Sequence, residues 1–507
     1  MPLSQQLGPQ QVGSRRDFMH AATAGVSSLA LATMLDKSAR AEVIPVDPTN
    51  PLKVRLGHFP GSVDRMIFLF QYGSPSQIDT FDYKPELIKR DGQSLPDSYL
   101  QIPKIASALT FGHELMSSPF SWKQHGQSGL WISDLFPHIA EHADELCVVR
   151  SMVADSNNHA PASLSMNTGV LVEGKPSLGS WLTYGLGSEN QNLPGYVVLF
   201  NVGPYGGPAN FKNGFLHSAF GATHFRSGAS PVLDLSPPAN LATSQKDTFD
   251  LIQRLNQQHR ATRPGHNELD GRIASYEIGY RMQAEALSIG DFGSETSATQ
   301  SMYGLNEKDT DEYGRMCLLA RRLVERGVRV VQLYNGAAAP SEGWDAHRAL
   351  GENHIYNAKR TDKPIAGLLK DLKNRGLLDR TLVVWCGEFG RLPMWDSGRG
   401  RQRKDAGRNH NPLGFSMWLA GGGTRGGQTI GLTDELGLFA EVSPYHVRDL
   451  HATILHGFGL DANELYFPNS GRDERLIGVA DNSQLIQGVY LRTQWLEDCN
   501  ARVYRSP

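Results

Sequence analysis

Apolar residues fall along this chain in short, nearly continuous runs. Longer stretches separate the runs, and in these the apolar positions recur every three or four residues. The runs Asp64–Phe70, Leu146–Met152, Tyr196–Phe200, Val328–Tyr334, Thr381–Cys386 and Phe415–Ala420 are rich in β-branched and aromatic side chains and show no polar face. Runs of that length and composition predict strands buried on both sides, as in a parallel sheet. Helical spacing marks Ser133–Asp144, a helix capped by Asn158 that closes at Thr168–Gly169, Leu178–Tyr184, Asp311–Arg326, Asn353–Asn374 and Tyr445–Leu455. Ser133 and Asn158 carry the short polar side chains that accept from free N–H groups at a helix start. Strands alternating with helices predict a doubly wound, mostly parallel α/β sheet with helices on both faces.

Two stretches interrupt the alternation. Residues 201–243 are dense in Gly, Pro, Ser and Phe, and Lys246–Ile289 is polar with helical spacing. Together they read as an insertion at about 201–310. Its first part forms a wall over the functional edge, and its second is a pair of helices packed outside. The triple glycine at Gly421 lacks the G-K-[ST] ending of a phosphate loop and reads as a turn.

The N-terminus changes the picture of where the protein works. Ser14-Arg15-Arg16-Asp17-Phe18-Met19 is a twin-arginine signature; Ala21–Leu35 is apolar and small, and Ala39-Arg40-Ala41 fits a cleavage site. The run is shorter than the ~20 apolar residues of a membrane span. Residues 1–41 are therefore expected to be a twin-arginine signal peptide. The mature chain, 42–507, is expected in the periplasm or outside the cell as one domain without an integral membrane segment. A net charge of −3 over 507 residues points away from nucleic acid. Of the cysteines, Cys147 and Cys386 lie in apolar runs, and none makes a C-x-x-C with Cys317 or Cys499.

The candidate chemistry collects where the strands end. Past Asp64–Phe70 come Asp79 and Asp82. Past Leu146–Met152 come Asn158 and His159. Past Val328–Tyr334 come Asp345 and His347. Past Thr381–Cys386 comes Glu388, set between Gly387 and Gly390, with His410 further along the same loop. Parallel strands send these ends to one edge of the sheet, where open α/β proteins bind ligands. Carboxylates and imidazoles gathered there suit a divalent metal such as Zn, Mn or Ca. Asp345, His347, Glu388, His410 and Asp79 are the candidate ligands. Arg391, Arg408 and Arg425 would each suit bidentate contact with an anionic group, Arg391 and Arg408 by their neighbours the better placed. A turn capped by Asp345, a helix capped by Asp79 and a plain polar loop around Glu388 are the bland alternatives. His446, His451 and His456 stand five apart and do not stack on one helix face.

Asn158-His159-Ala160-Pro161, Met166-Asn167-Thr168-Gly169, Gly343-Trp344-Asp345-Ala346-His347, Gly387-Glu388-Phe389-Gly390-Arg391 and Leu450–Leu455 together resemble the exported "domain of unknown function 1501" family. That family looks like a divergent branch of the alkaline phosphatase and sulfatase superfamily. The resemblance spans nearly the whole mature chain. It implies an alkaline phosphatase-like fold, one or two metals, and hydrolysis of sulfate or phosphate esters, including those of polysaccharides. The sulfatase pattern C/S-x-P-S-R then T-G aligns with His159-Ala160-Pro161-Ala162-Ser163 and Thr168-Gly169, so His159 stands at the nucleophile position. The superfamily's late Asp-His pair resembles Glu388-Phe389, with the imidazole lost, and His410 resembles its last metal histidine. The resemblance thus implies a metal held by Asp345, His347, Glu388 and His410, with His159 as nucleophile or general base and Asn158, Arg391 and Arg408 near the substrate. The altered nucleophile and the lost pair imply the alternative, a catalytically degenerate binding or assembly module at the cell surface.

Overall fold

Each apolar run forms a strand of one sheet. In the computed structural model these strands are β1 (Arg65–Gln71), β2 (Cys147–Val153), β3 (Tyr196–Leu199), β5 (Val330–Asn335), β6 (Thr381–Cys386) and β9 (Phe415–Ala420). Short strands β4 (Thr223–Phe225), β10 (Gln428–Ile430) and β11 (Tyr445–His446) complete a nine-stranded sheet in the order β10–β2–β9–β6–β1–β5–β3–β4, with β11 also pairing with β2. The structure describes residues 46–490 apart from 48–49, 104–112, 229, 234, 236–242, 264–266, 336–342, 398–401 and 479–482. The expected signal peptide and Cys499 lie outside the described residues.

Both faces of the central strands are buried, as continuous apolar runs require. Ile67, Leu69, Val331, Leu333, Val383 and Trp385 pack into one large core with apolar residues of α5 (Asp311–Glu325) and α6 (Leu350–Asn374). The alternate residues face the other way. There Gln332 and Tyr334 donate to Asn167 Oδ1 (2.5 and 3.2 Å) in α1 (His159–Thr168). Helix α2 (Leu178–Leu186) packs against β3 and β5. The fold is therefore α/β, with a mostly parallel sheet between helical layers. The insertion contributes two helices, α3 (Gln245–Ala261) and α4 (Asn267–Gly290).

One strand breaks the parallel rule, and it matters for the site. β9 runs antiparallel to β2 and β6. It therefore begins at the edge where the parallel strands end. The segment before it lies on that edge too. The stretch Gly387–His410 is not the single loop its sequence suggests. Much of it is a hairpin, β7 (Gly390–Trp395) against β8 (Arg408–Asn411), with His410 paired to Arg391. Helix α1 starts and stops as its sequence implies. The Asn158 side chain accepts from Ala160 N, and Gly169 closes the helix at φ +77°.

A helix from Ser133 is not formed. Ser133 ends a short strand, Leu130–Ser133, paired with Trp122–His125, and a 3₁₀ helix follows only at Ile139–Glu145. Pro137 lacks an N–H and biases Phe136 away from helical geometry, which delays the start. The N–H groups of His138 and Ile139 are instead taken by the buried Asp362 carboxylate (2.9 and 2.8 Å). Cys147, Cys317 and Cys386 are buried free thiols. Among the described residues, no helix is long and apolar enough to cross a membrane.

Candidate metal centre

Five segments bring side chains to the carboxyl edge of the sheet: the turn after β1, the start of α1 after β2, the loop after β5, the loop after β6, and strand β8. The turn after β1 is tight. Gly73 sits at φ +92°, and a Cβ there would lie 2.6 Å from Asp345 N, so only glycine lets the β1 and β5 loops close on each other.

Asp345 is the hub. Three imidazoles turn their Nε2 atoms towards its carboxylate. His347 and His410 approach Oδ1 at 3.3 and 3.2 Å, and His159 approaches Oδ2 at 3.3 Å. Each ring is tethered from behind through Nδ1. His347 Nδ1 donates to Asp396 Oδ2 (2.9 Å), His410 Nδ1 to the Asn157 carbonyl (2.6 Å), and His159 Nδ1 to Glu388 Oε1 (2.5 Å). Each acceptor takes an Nδ1–H, so a ring in its neutral form presents a bare Nε2 to the centre. The Nε2 atoms of His347 and His410 then face each other at 2.9 Å.

Arg391 keeps this assembly ionised. Its guanidinium is fully buried and donates to Asp345 Oδ1 (2.7 Å), Ser74 O (3.1 Å), Arg408 O (3.2 Å) and the Gly73 carbonyl. Burial alone would raise the Asp345 carboxyl. The Arg391 charge, with contacts from His159 and His410, holds it well below the usual carboxylate range. Burial and Arg391 push His410 down to about 3, so its ring is neutral. Burial also disfavours charge on His159, but Asp345 and Glu388 override it and raise its pKa to about 8. Glu388 Oε2 is buried with no hydrogen-bond partner among the described residues, while His159 Nε2 faces Asp345 Oδ2 at 3.3 Å.

The structure gathers His159, Asp345, His347 and His410, with Glu388 behind His159. The ligand atoms of His159, Asp345 and His410 lie within 4.8 Å of one another. Glu388 supports an imidazole and also accepts from Gly73 N (3.1 Å). Asp79 is not brought to the cluster. It is fully buried and paired with Arg408, whose Nε donates to Oδ2 (2.7 Å) and Nη2 to Oδ1 (3.3 Å). Arg391 and Arg408 are both fully buried and turned inward, which corrects the expectation that they reach an anionic substrate. Asn158 acts as a helix cap.

Sequence reasoning missed Asp396, the Asn157 carbonyl and Tyr205. The Tyr205 ring stacks on His159 (centroids 5.1 Å) and packs on Tyr72 (4.4 Å). Asp396 follows β7, the partner of the strand that carries His410. A carboxylate at that spacing is a signal only once the hairpin is known. Tyr205 belongs to the insertion expected to wall the edge.

Tetrahedral ligands at ~2.0 Å from a zinc ion stand roughly 3.3 Å apart. The contacts of 2.9–3.3 Å among His347, His410, His159 and Asp345 match that spacing. Two bare nitrogens facing each other beside an ionised carboxylate repel unless a cation lies between them. The ligand atoms of His159, Asp345 and His410 lie close enough together to hold a divalent metal, with His347 Nε2 beside them at 2.9 Å from His410 Nε2 and 3.3 Å from Asp345 Oδ1.

A family model described as a protein of unknown function, DUF1501, matches residues 63–489. No curated protein matches the chain. Solved structures show distant similarity. The lipoteichoic acid synthase LtaP from Listeria monocytogenes is 11% identical, with 85% of this chain and 79% of that chain covered and a TM-score of 0.37. The PsFucS1 sulfatase from Pseudoalteromonas sp. is 12% identical, with 84% and 74% covered and a TM-score of 0.33. A protein in the alkaline phosphatase superfamily from Vibrio parahaemolyticus is 12% identical, with 83% and 73% covered and a TM-score of 0.32. Similarity at that distance carries no chemistry over to this chain.

Proposed function

From the premise that the chain belongs to the DUF1501 family, we propose that it is a metal-dependent hydrolase of sulfate or phosphate esters, exported by the twin-arginine route. Its mature part, 42–507, would be one domain with an insertion at about 201–310. The observation that carries the reading is the set of three imidazoles, each tethered at Nδ1 and each turning Nε2 to Asp345. An acceptor behind each ring is the arrangement that orients histidine towards a metal.

His159, Asp345, His347 and His410 would hold the ion. The chemistry such an ion supplies when bound is Lewis-acid polarisation of an ester oxygen and acidification of water. The chain's own residues do the rest. Asp396, Glu388 and the Asn157 carbonyl hold the Nδ1 protons and aim the rings. Arg391 keeps Asp345 ionised. Tyr72, Tyr205 and Phe389 pack around His159 and limit water beside it. His159 is assigned here to the ligand set rather than to the nucleophile role, because Nδ1 is committed to Glu388 and Nε2 faces Asp345.

Elemental analysis of the purified mature protein, followed by calorimetric titration of the stripped protein with Zn²⁺ and Mn²⁺, tests the centre. About one equivalent is expected, lost in a His347→Ala/His410→Ala double variant and bound roughly 10–100-fold more weakly by Asp396→Asn. A stripped protein that takes up neither ion sinks the proposal. A panel of sulfate and phosphate esters then tests turnover, with Asp345→Asn as control. The commitment of His159 Nδ1 to Glu388, which removes a free nucleophile, favours a second reading, a metal-stabilised binding or assembly module. Stoichiometric metal with no turnover across the panel would select it.

A further inference from the structure

A second concavity lies away from the histidine cluster and shares no residue with it. It encloses about 360 Å³ between the insertion, helix α4 and the C-terminal hairpin Phe467–Asn469/Arg472–Glu474. That volume is within the range of small-molecule pockets. Aromatic rings in mutual contact build its walls. Phe215 stacks on Phe467 (centroids 5.7 Å), Phe467 meets Tyr184 edge-on (5.8 Å), and Tyr184 meets Phe220 edge-on (5.7 Å). The walls are also braced from outside, since the Tyr184 hydroxyl donates to Tyr466 O (3.0 Å) and Lys175 sits over the Phe215 ring. The cavity is therefore formed without a ligand.

The polar side chains that line it are Asn213, His217, Ser218 and Arg272; Asn213 donates to Gly214 O and Leu216 O, and Ser218 Oγ pairs with Ser275 Oγ (3.2 Å). His217 Nδ1 accepts from Ala219 N (3.3 Å), so the proton of the neutral ring is on Nε2. Burial holds His217 down to about 4, which keeps the ring neutral. That Nε2–H is buried and has no acceptor among the described residues. Arg272 lines the same cavity with an exposed side chain. The neighbouring carboxylate, Asp270, is occupied by Arg260 Nε (2.6 Å), so it does not oppose an anion.

We infer that this cavity is a binding site for a small aryl carboxylate. The flat apolar body lies among Phe215, Phe220 and Phe467. The carboxylate pairs with Arg272 at the cavity wall. The inference does not rest on the metal centre or on the hydrolase reading.

Benzoate is the probe, titrated calorimetrically into the full mature chain, with benzyl alcohol as the uncharged control. Saturable benzoate binding is expected. Benzyl alcohol and the Arg272→Gln variant should each bind at least about tenfold more weakly, the loss expected for a charge-assisted contact. Arg272 is exposed, so its variant should fold, which a thermal melt checks. The His347→Ala variant should bind benzoate as the parent does. No saturation up to roughly 10 mM, a concentration far above that of a specific small-molecule site, overturns the inference. Unchanged affinity in Arg272→Gln does so as well. Loss of binding in His347→Ala would place the anion at the metal centre and also overturn it.

Discussion

Two polar clusters lie together on the carboxyl edge of the sheet, and they treat their hydrogen bonds in opposite ways. Around Asp79 every donor finds an acceptor. Its carboxylate accepts from Arg408 and Ser76, and Ser76 N donates to His354 Nε2 (3.1 Å). Gln77 donates to Arg391 O (2.9 Å) and Gly437 O (3.0 Å) and accepts from Arg391 N (2.8 Å). Around Asp345, the Nε2 atoms of His159, His347 and His410 converge on one carboxylate, and Glu388 Oε2 has no hydrogen-bond partner among the described residues. The closed cluster is fully buried, whereas the histidines and Asp345 of the open one are partly exposed. A closed network holds a fold together, whereas one left open at its centre has capacity for a ligand. The contrast also explains why the arginines belong to structure. Arg408 completes the closed network, and Arg391 joins it to the open one.

The largest test of this contrast is to break the closed side. Arg408→Met leaves Asp79 charged and unpaired in a dry site. A loss of about 3–5 kcal/mol in urea unfolding is expected. His347→Ala in the metal-free protein should cost under about 1 kcal/mol, because it removes one of two opposed lone pairs and a side chain that is not fully buried. Equal losses for the two variants would erase the distinction between the clusters.

Acid provides the next test. Burial lowers His354 from an ordinary 6.5 to about 3, against the pull of Asp79. The folded state thus binds this proton less readily than the unfolded chain. The contribution of His354 to stability is complete above pH 6.5 and is lost as pH falls towards 3. Roughly 2 kcal/mol should disappear between pH 6.5 and pH 5. Urea midpoints across that range measure it, and His354→Gln should flatten the slope. A slope unaltered by that substitution would mean that His354 is not held neutral by the closed network.

Much of this was legible in the chain. The apolar runs named the strands of the central sheet, and the residues after them named the edge where His159, Asp345, His347 and Glu388 meet. What could not be read depended on pairing at long range. Asp79 and Asp345 look alike in sequence, each a carboxylate past a buried strand. Their fates part because Arg408, far along the chain, folds back in a hairpin onto one of them. His410 reaches the edge because β9 alone runs antiparallel, and local periodicity does not report strand direction. Asp396 gains its role from the same hairpin. The helix expected at Ser133 failed for a local reason, Pro137, which the sequence did display.

The smallest test separates a residue from its neighbour. Asn158 was expected near the substrate, yet its side chain accepts from Ala160 N at 3.3 Å and caps α1, while the backbone carbonyl of Asn157 holds His410 Nδ1. Substituting Asn158 therefore removes a cap and leaves the tether in place. Asn158→Ala should cost about 1 kcal/mol of stability, the usual value of an N-cap. Metal affinity measured well below the melting transition should stay within about twofold of the parent, since no ligand or tether is touched. The two readouts need to be taken together. A drop in affinity without a drop in stability would mean that Asn158 works at the centre itself. A drop in both, in proportion, would mean that the start of α1 and the position of His159 are one mechanical unit. In that case the open cluster would depend on secondary structure as much as on the tethers behind its rings.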